Sequence, residues 1–182
     1  MKLLRTIRLD PSDTLVFERA AEPGEWAVPG TFVFAPVHVG GIEGKVRVAF
    51  RSGFLGIESL GWSTLVQVVE ASAQDHCAAV DLLARRLVEH FGAPDLEVAR
   101  TAAAEEVAFA ASLSNHPEGT VVALARRHED GDIRETFRTL SPGAVTIPER
   151  VFAFVADAEG EEEEAPLEEI DLLGLAKERA RE

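Results

Sequence analysis

The chain has 182 residues, of which 46% are hydrophobic and 27% are charged, as is typical of a globular protein with one sizeable core. The net charge of −14 is unevenly distributed, because residues 157–182 contain 11 acidic and 3 basic side chains whereas residues 1–156 contain 21 and 15. This acidity argues against non-specific binding to nucleic acid or to an anionic membrane, and no stretch reaches the roughly 20 apolar residues of a membrane span.

Cys77 is the one cysteine of the chain, so no disulfide can form within it. Residues 1–10 contain no apolar run long enough for a signal peptide. Both features favour a reducing compartment, and they predict a cytoplasmic protein.

The first third of the chain is predicted to consist of strands and loops. Pro11, Ser12 and Asp13 form a predicted turn, and alternating apolar side chains indicate strands around it and further along. The predicted strands cover residues 3–9, residues 14–19, a short segment with Phe32 and Phe34, and Lys45–Arg51, whose outer face is basic. Residues 62–69 are apolar on both faces, which is typical of an inner strand.

The clearest element is an amphipathic helix from Ser72 to Gly92. Ser72 is a suitable N-cap, and Gly92 can adopt the left-handed conformation that ends a helix. One apolar stripe with helical spacing consists of Ala73, Cys77, Val80, Leu83, Ala84, Leu87, Val88 and Phe91. A second, alanine-rich helix is predicted from about Thr101 to Leu113.

A β-hairpin is predicted over residues 120–140, because Asp130-Gly131 separates two β-rich runs. A two-residue loop would pair residues on one mostly apolar face as Val122 with Thr139, Leu124 with Phe137, Arg126 with Glu135, and His128 with Ile133. On the opposite face, Arg127 would then lie opposite Arg134, with Arg138 further along. A longer loop would shift this register and scatter the arginines.

The candidate site is therefore Arg127, Arg134 and Arg138, together with His128, for an anion or a protein partner. Guanidinium groups suit a carboxylate-rich surface, a phosphate or the chain's own acidic tail. The alternative is a solvated face whose ion pairs are each worth about 0–1 kcal/mol. The sequence leaves both interpretations open.

No catalytic residue, cofactor or metal site is predicted. Residues 40–46 have one spacer too few for a phosphate-binding loop and lead into a predicted strand. Ser59 is followed by a strand, where a nucleophile elbow requires a helix. The five histidines show no short metal-ligand spacing.

The C-terminal part is predicted to differ from the rest of the chain. Residues 1–156 form a single predicted α+β domain, which ends in a strand over Val151–Val155. Residues 157–165 form an acidic linker, since a run of glutamates has nothing to bury. Residues 166–182 form a predicted amphipathic helix that docks either on its own domain or on another chain.

The grouping of strands and helices predicts an α+β fold. We expect a largely antiparallel sheet of about seven to eight strands, with two central helices on one face and a C-terminal helix. The favoured function is a non-catalytic binding or accessory protein that acts through protein–protein contacts, with self-association through the C-terminal helix as one form. The alternative is a small enzyme, or a binder of an anionic metabolite, with an arginine-lined site.

Overall fold

The computed structural model describes residues 1–35, 42–129 and 132–140, all within a compact unit that spans Met1–Thr146. These residues form a mixed α+β structure with a seven-stranded antiparallel sheet and four α-helices, which confirms the predicted fold class in outline. The predicted strand at 151–155, the linker at 157–165 and the helix at 166–182 lie outside the described residues.

The sheet has the strand order β4-β3-β2-β1-β5-β6-β7. Its strands are β1 (Lys2–Ile7), β2 (Trp26–Val28), β3 (Phe54–Gly56), β4 (Trp62–Ser63), β5 (Leu65–Glu70), β6 (Val121–Glu129) and β7 (Asp132–Leu140). The helices are α1 (Ser12–Val16), α2 (Gly44–Ser52), α3 (Ala73–Phe91) and α4 (Leu96–Leu113), and a 3-10 turn covers Thr31–Val33.

The main hydrophobic core forms where α3 and α4 meet the sheet. Leu4 of β1 lies opposite Ala27 of β2 and Val68 of β5, and all three are buried together with Leu83 of α3 and Val107 of α4. Helix α4 lies against β1 and β2, and α3 packs against α4. Burial of these apolar side chains is the main source of stability that the structure shows.

The prediction of a strand over residues 14–19 is wrong, because Ser12–Val16 is helix α1. Asp13 is buried, and its carboxylate accepts hydrogen bonds from the hydroxyl (2.5 Å) and the amide (3.3 Å) of Thr64. These tertiary bonds stabilise the turn that begins the helix. Because these bonds join residues 51 positions apart in the chain, no local sequence pattern predicts them.

The predicted strand over Lys45–Arg51 is also wrong, since these residues belong to α2. Alternating valines fit a strand, but a short apolar run of this kind is ambiguous between strand and helix. The helix buries Ala49 and Phe50 and leaves Val46 44% exposed. Packing against Phe17 and other aromatic side chains therefore decides the conformation.

Phe32 and Phe34 do not form the predicted third strand, because they lie in and next to the 3-10 turn. They also contact different parts of the protein. Phe34 stacks on Trp62, with ring centroids 5.1 Å apart, whereas Phe32 makes an edge contact with Phe91 at 5.3 Å. The two aromatic rings of this turn therefore pack against different neighbours, Phe91 of α3 and Trp62 of β4.

Helix α3 has the predicted limits. The Ser72 hydroxyl accepts the Asp75 amide at 3.1 Å, and the Asp75 carboxylate accepts the Ser72 amide at 2.9 Å, which is a complete capping box. Gly92 has φ +74 and ends the helix as predicted. Four residues of the predicted apolar stripe are exposed, however, because the core contacts α3 through Ala79, Leu83, Ala84 and Leu87. The exposed residues are Ala73, Cys77, Val88 and Phe91.

The second predicted helix exists and begins earlier than expected. Helix α4 starts at Leu96, where the Asp95 carboxylate accepts the amides of Glu97 and Val98, each at 2.9 Å. An N-cap of this kind satisfies amides that the first helical turn leaves unpaired. None of the helices in the described part of the chain is long and apolar enough to cross a membrane.

Candidate functional site

The β6–β7 hairpin has the predicted register. Arg127 lies opposite Arg134, and the four predicted pairs of the other face are all present: Val122 with Thr139, Leu124 with Phe137, Arg126 with Glu135, and His128 with Ile133. The Asp130-Gly131 loop itself lies outside the described residues, but Glu129 pairs with Asp132 on either side of it. The three arginines therefore share one face of the hairpin.

This arginine face, formed by Arg127, Arg134 and Arg138, is exposed to solvent. Arg134 Nε lies 2.9 Å from the Glu129 carboxylate, and both side chains are more than half exposed, so this ion pair contributes little to stability. Among the described residues, neither Arg127 nor Arg138 forms an ion pair. The face thus has guanidinium groups to offer to an anionic partner.

His128 is exposed near the loop end of the hairpin. It lies opposite Ile133, and it is adjacent in sequence to Arg127. Because successive residues of a strand point to opposite faces, the structure groups the three arginines and places His128 on the other side of the sheet.

A buried arginine lies on that other side, and the sequence indicated only its cross-strand partner. The Arg126 side chain has no exposed surface, and its Nε donates to Glu135 at 2.7 Å and to the Thr31 hydroxyl at 3.1 Å. The Thr31 hydroxyl also donates to Glu135. The sequence holds one indication of this buried pair, which is a charged residue at an inward position of a strand, directly opposite an acid.

The remaining Arg126 donors bind backbone carbonyl oxygens. Its Nη1 donates to Gly53 at 2.8 Å and to Phe50 at 3.1 Å, and its Nη2 donates to Pro29. The Phe50 carbonyl belongs to the last turn of α2, where the helix dipole favours a cation. One guanidinium group therefore joins β6 to the end of α2 and to the segment before the 3-10 turn.

Glu106 of α4 lies beside this network and was not identified from the sequence. Its Oε1 accepts the amide of Gly30 at 2.9 Å. Gly30 has φ +72, and a Cβ there would come within 2.6 Å of Leu55, so only glycine fits. Burial raises the pKa of Glu106 and the Glu135 carboxylate raises it further, whereas the hydrogen bond from Gly30 and the charge of Arg126 lower it.

We expect Glu106 to make stability depend on pH. Because its folded-state pKa is raised, its contribution is fully present below the unfolded-state pKa and is lost as the pH rises through the folded-state pKa. Glu106→Gln stays neutral and keeps an acceptor for Gly30, so its stability should fall less than that of the wild type from about pH 4 to pH 7. Urea unfolding at several pH values measures this difference.

The control for this comparison is Glu105→Gln, at the exposed neighbouring position. It should retain the wild-type pH dependence. If Glu106→Gln and the wild type lose the same stability over this range, Glu106 is ionised at no cost in the folded protein and the prediction is wrong.

A cleft of about 320 Å³ opens next to Glu106. Its lining combines aromatic and aliphatic surface with two carboxylates, from Phe32, Leu87, Ala102, Glu105, Glu106 and Phe109. Phe109 is 41% exposed and makes an edge contact with Phe137, with centroids 5.9 Å apart. The cleft is of the size and composition that small-ligand sites usually have.

A buried acid, Glu25, organises two loops. Its carboxylate accepts the amides of Glu22 at 2.6 Å, Ser59 at 2.8 Å and Glu58 at 3.0 Å. A Cβ at Gly56 would come within 2.7 Å of a Glu25 oxygen, so the glycine leaves room for the carboxylate. Ser59, which was considered as a nucleophile, therefore lies in a loop that Glu25 holds in place.

Metal ligation is not indicated in the part of the chain that the structure describes. No group of three or more His, Cys, Asp or Glu side chains there is arranged to hold a metal ion.

The comparisons with known proteins give a family and no function. A family model described as "Family of unknown function (DUF6505)" matches residues 1–159. No curated protein matches the chain. No solved structure matches it either.

Proposed function

Since the chain belongs to this family of unknown function, we propose on geometric grounds that it is a cytoplasmic, non-catalytic binding or accessory protein that acts through protein–protein contacts. The contact surface in this proposal is the outer edge of β7. The partner is an extended acidic segment of another protein, which adds to the sheet as a further strand. The exposed free thiol of Cys77 fits a reducing compartment.

The observation that carries the proposal is the position of β7. It is nine residues long and ends the strand order, so that within the described residues it pairs with β6 alone. An edge strand leaves a row of backbone donors and acceptors without partners in the sheet. An extended peptide can satisfy that row, which is the basis of recognition by β-strand addition.

The arginine face explains why the added strand should be acidic. Arg134 and Arg138 lie on β7 itself, and Arg127 lies directly across from Arg134 on β6. Like charges opposite each other destabilise a sheet slightly, and cross-strand pairs of opposite charge stabilise it by about 0.2–1 kcal/mol. Carboxylates at alternate positions of a neighbouring strand would therefore relieve repulsion and form new pairs.

The proposal includes the predicted arrangement in which both central helices cover one face of the sheet. The opposite face of the hairpin is then left for a partner. Supporting this, Arg134, Thr136 and Arg138 on one side of β7 are all exposed, whereas Ile133, Glu135 and Phe137 on the other side are partly buried.

Binding of a labelled peptide tests the proposal. The probe has the length of β7, with glutamate alternating with valine, and is followed by fluorescence anisotropy. We expect Arg134→Ala/Arg138→Ala to weaken binding by about 0.4–2 kcal/mol, or roughly 2- to 30-fold, because each of the two charge pairs is worth about 0.2–1 kcal/mol. Arg47→Ala/Arg85→Ala removes the same charge at exposed positions of α2 and α3 and should bind like the wild type.

Methylation of the peptide backbone distinguishes strand addition from charge attraction alone. An added strand uses every second amide, so the probe methylated on one alternate set should bind and the probe methylated on the other set should not. Equal binding of both probes, or equal weakening by the two arginine double variants, would exclude strand addition at β7.

Self-association is a variant of the proposal in which the second chain is a copy of this one. Residues 166–182 are predicted to mediate it and lie outside the described residues. Light scattering of the full chain and of a chain without residues 159–182 tests it. A mass that falls to that of a single chain on deletion supports self-association, and an unchanged mass excludes this segment.

The alternative function is an enzyme or a binder of an anionic metabolite that uses Arg127, Arg134 and Arg138. The observation in its favour is the shared face of these three side chains. Inorganic phosphate or succinate should then raise the melting temperature of the wild type and not that of Arg134→Ala. If both proteins respond alike, the arginine face is not a small-anion site.

A further inference from the structure

We propose that the cleft beside Glu106 binds a small organic cation, an ammonium group carried on an apolar or aromatic body. This site is separate from the β7 edge, since its lining comes from the 3-10 turn, α3 and α4. The inference therefore goes beyond the proposed function and does not depend on it.

The shape of the cleft suits a small molecule. Its volume of about 320 Å³ lies at the lower end of the range of about 300–1,000 Å³ that is usual for ligand pockets. Phe32 and Phe109 contribute aromatic surface, and Leu87 and Ala102 contribute aliphatic surface. An apolar body can be buried there, and the polar groups that would orient it are carboxylates.

The charges next to the cleft do not balance. The guanidinium of Arg126 is buried, and it lies near two partly buried carboxylates, those of Glu135 and Glu106. The Arg126 donors bind Glu135, Thr31 and backbone carbonyls, and none of them binds Glu106. Within the described residues, the hydrogen bond that Glu106 accepts comes from the Gly30 amide.

A cation is the ligand charge that this arrangement favours. Ionised Glu106 leaves one excess negative charge in a partly buried position, and an ammonium group in the cleft would neutralise it. Aromatic rings attract cations to their faces, and Glu105 adds a second carboxylate to the lining. An anionic ligand would be repelled by both acids. The raised pKa of Glu106 agrees with a carboxylate that lacks a cationic partner of its own.

Three probes of matched shape and different charge test the proposal: benzylammonium, benzyl alcohol and benzoate. We expect benzylammonium to shift the backbone amide signals of Phe32, Ala102 and Phe109 in nitrogen-15 correlation spectra. Benzyl alcohol should bind at least roughly 10-fold more weakly, because its hydroxyl carries no positive charge to pair with the carboxylate of Glu106. Benzoate should not shift these signals. Equal affinity of the alcohol and the ammonium would overturn the proposal.

Variants identify the groups responsible. Glu106→Gln should weaken benzylammonium binding by at least roughly 10-fold, whereas Glu97→Gln, at an exposed position of the same helix, should not. Phe109→Ala removes a partly exposed ring and should weaken the ammonium and the alcohol by a similar factor. If Glu106→Gln binds benzylammonium as tightly as Glu97→Gln does, the carboxylate does not recognise the cation and the proposal is wrong.

Discussion

Replacement of Arg126 by methionine is expected to lower the free energy of unfolding by about 3–5 kcal/mol. The guanidinium has no exposed surface, and its removal leaves the mostly buried carboxylate of Glu135 without its cation. The carbonyl oxygens of Pro29, Phe50 and Gly53 also lose their donor. Methionine fills a similar volume, so the loss reflects hydrogen bonds and charge more than a cavity. Urea unfolding measures it.

The neighbouring residue provides a matched control. Arg127→Met makes the same chemical change on the exposed face of the same strand and should change stability by no more than about 0.5 kcal/mol. The double variant Arg126→Met/Glu135→Met removes both charges and should recover part of the loss, because an uncompensated buried charge costs more than an absent pair. A loss in Arg126→Met no larger than in Arg127→Met would contradict this account of the network.

Replacement of Glu25 by alanine should lower the free energy of unfolding by about 2–4 kcal/mol. Its carboxylate accepts the amides of Glu22, Glu58 and Ser59, and each donor left without a partner costs about 1–3 kcal/mol where water does not replace it. Two of these amides belong to the loop between β3 and β4. Thermal or urea unfolding measures the change, and hydrogen exchange should show that this loop loses protection first.

Two further variants test whether the loss of stability comes from the Glu25 carboxylate itself. Glu22→Ala changes an exposed acid in the same turn and should be within about 0.5 kcal/mol of the wild type. Glu25→Gln keeps one acceptor oxygen and should be intermediate between the wild type and Glu25→Ala. If Glu25→Ala is as stable as Glu22→Ala, the two loops do not depend on this carboxylate.

The hairpin shows what local sequence can determine about a candidate site. The pairing of Arg127 with Arg134 follows from a tight turn and from the two-residue period of strands. Both rules act over a few residues, so the arginine face could be predicted without the tertiary structure. His128 has the same local signal, and the period of two places it on the opposite face.

The wrong predictions lie where a distant contact decides a short segment. Residues 45–51 have the alternation of a strand, but they form a helix that buries Ala49 and Phe50 against aromatic side chains from elsewhere. Residues 14–16 form a helix next to Asp13, which binds Thr64. Segments this short have little intrinsic preference, so packing overrides it.

By itself, the sequence determined the α+β class, the limits of α3 and the register of β6 with β7, because capping residues, turn residues and hydrophobic period are local signals. Only the tertiary structure decided that Arg126 is a buried junction and that Glu106 faces a cleft. Glu135 lies nine residues from Arg126, but the other partners of the two residues come from segments 73 to 97 residues away in the chain. The burial and charge that define both residues arise when those segments pack together.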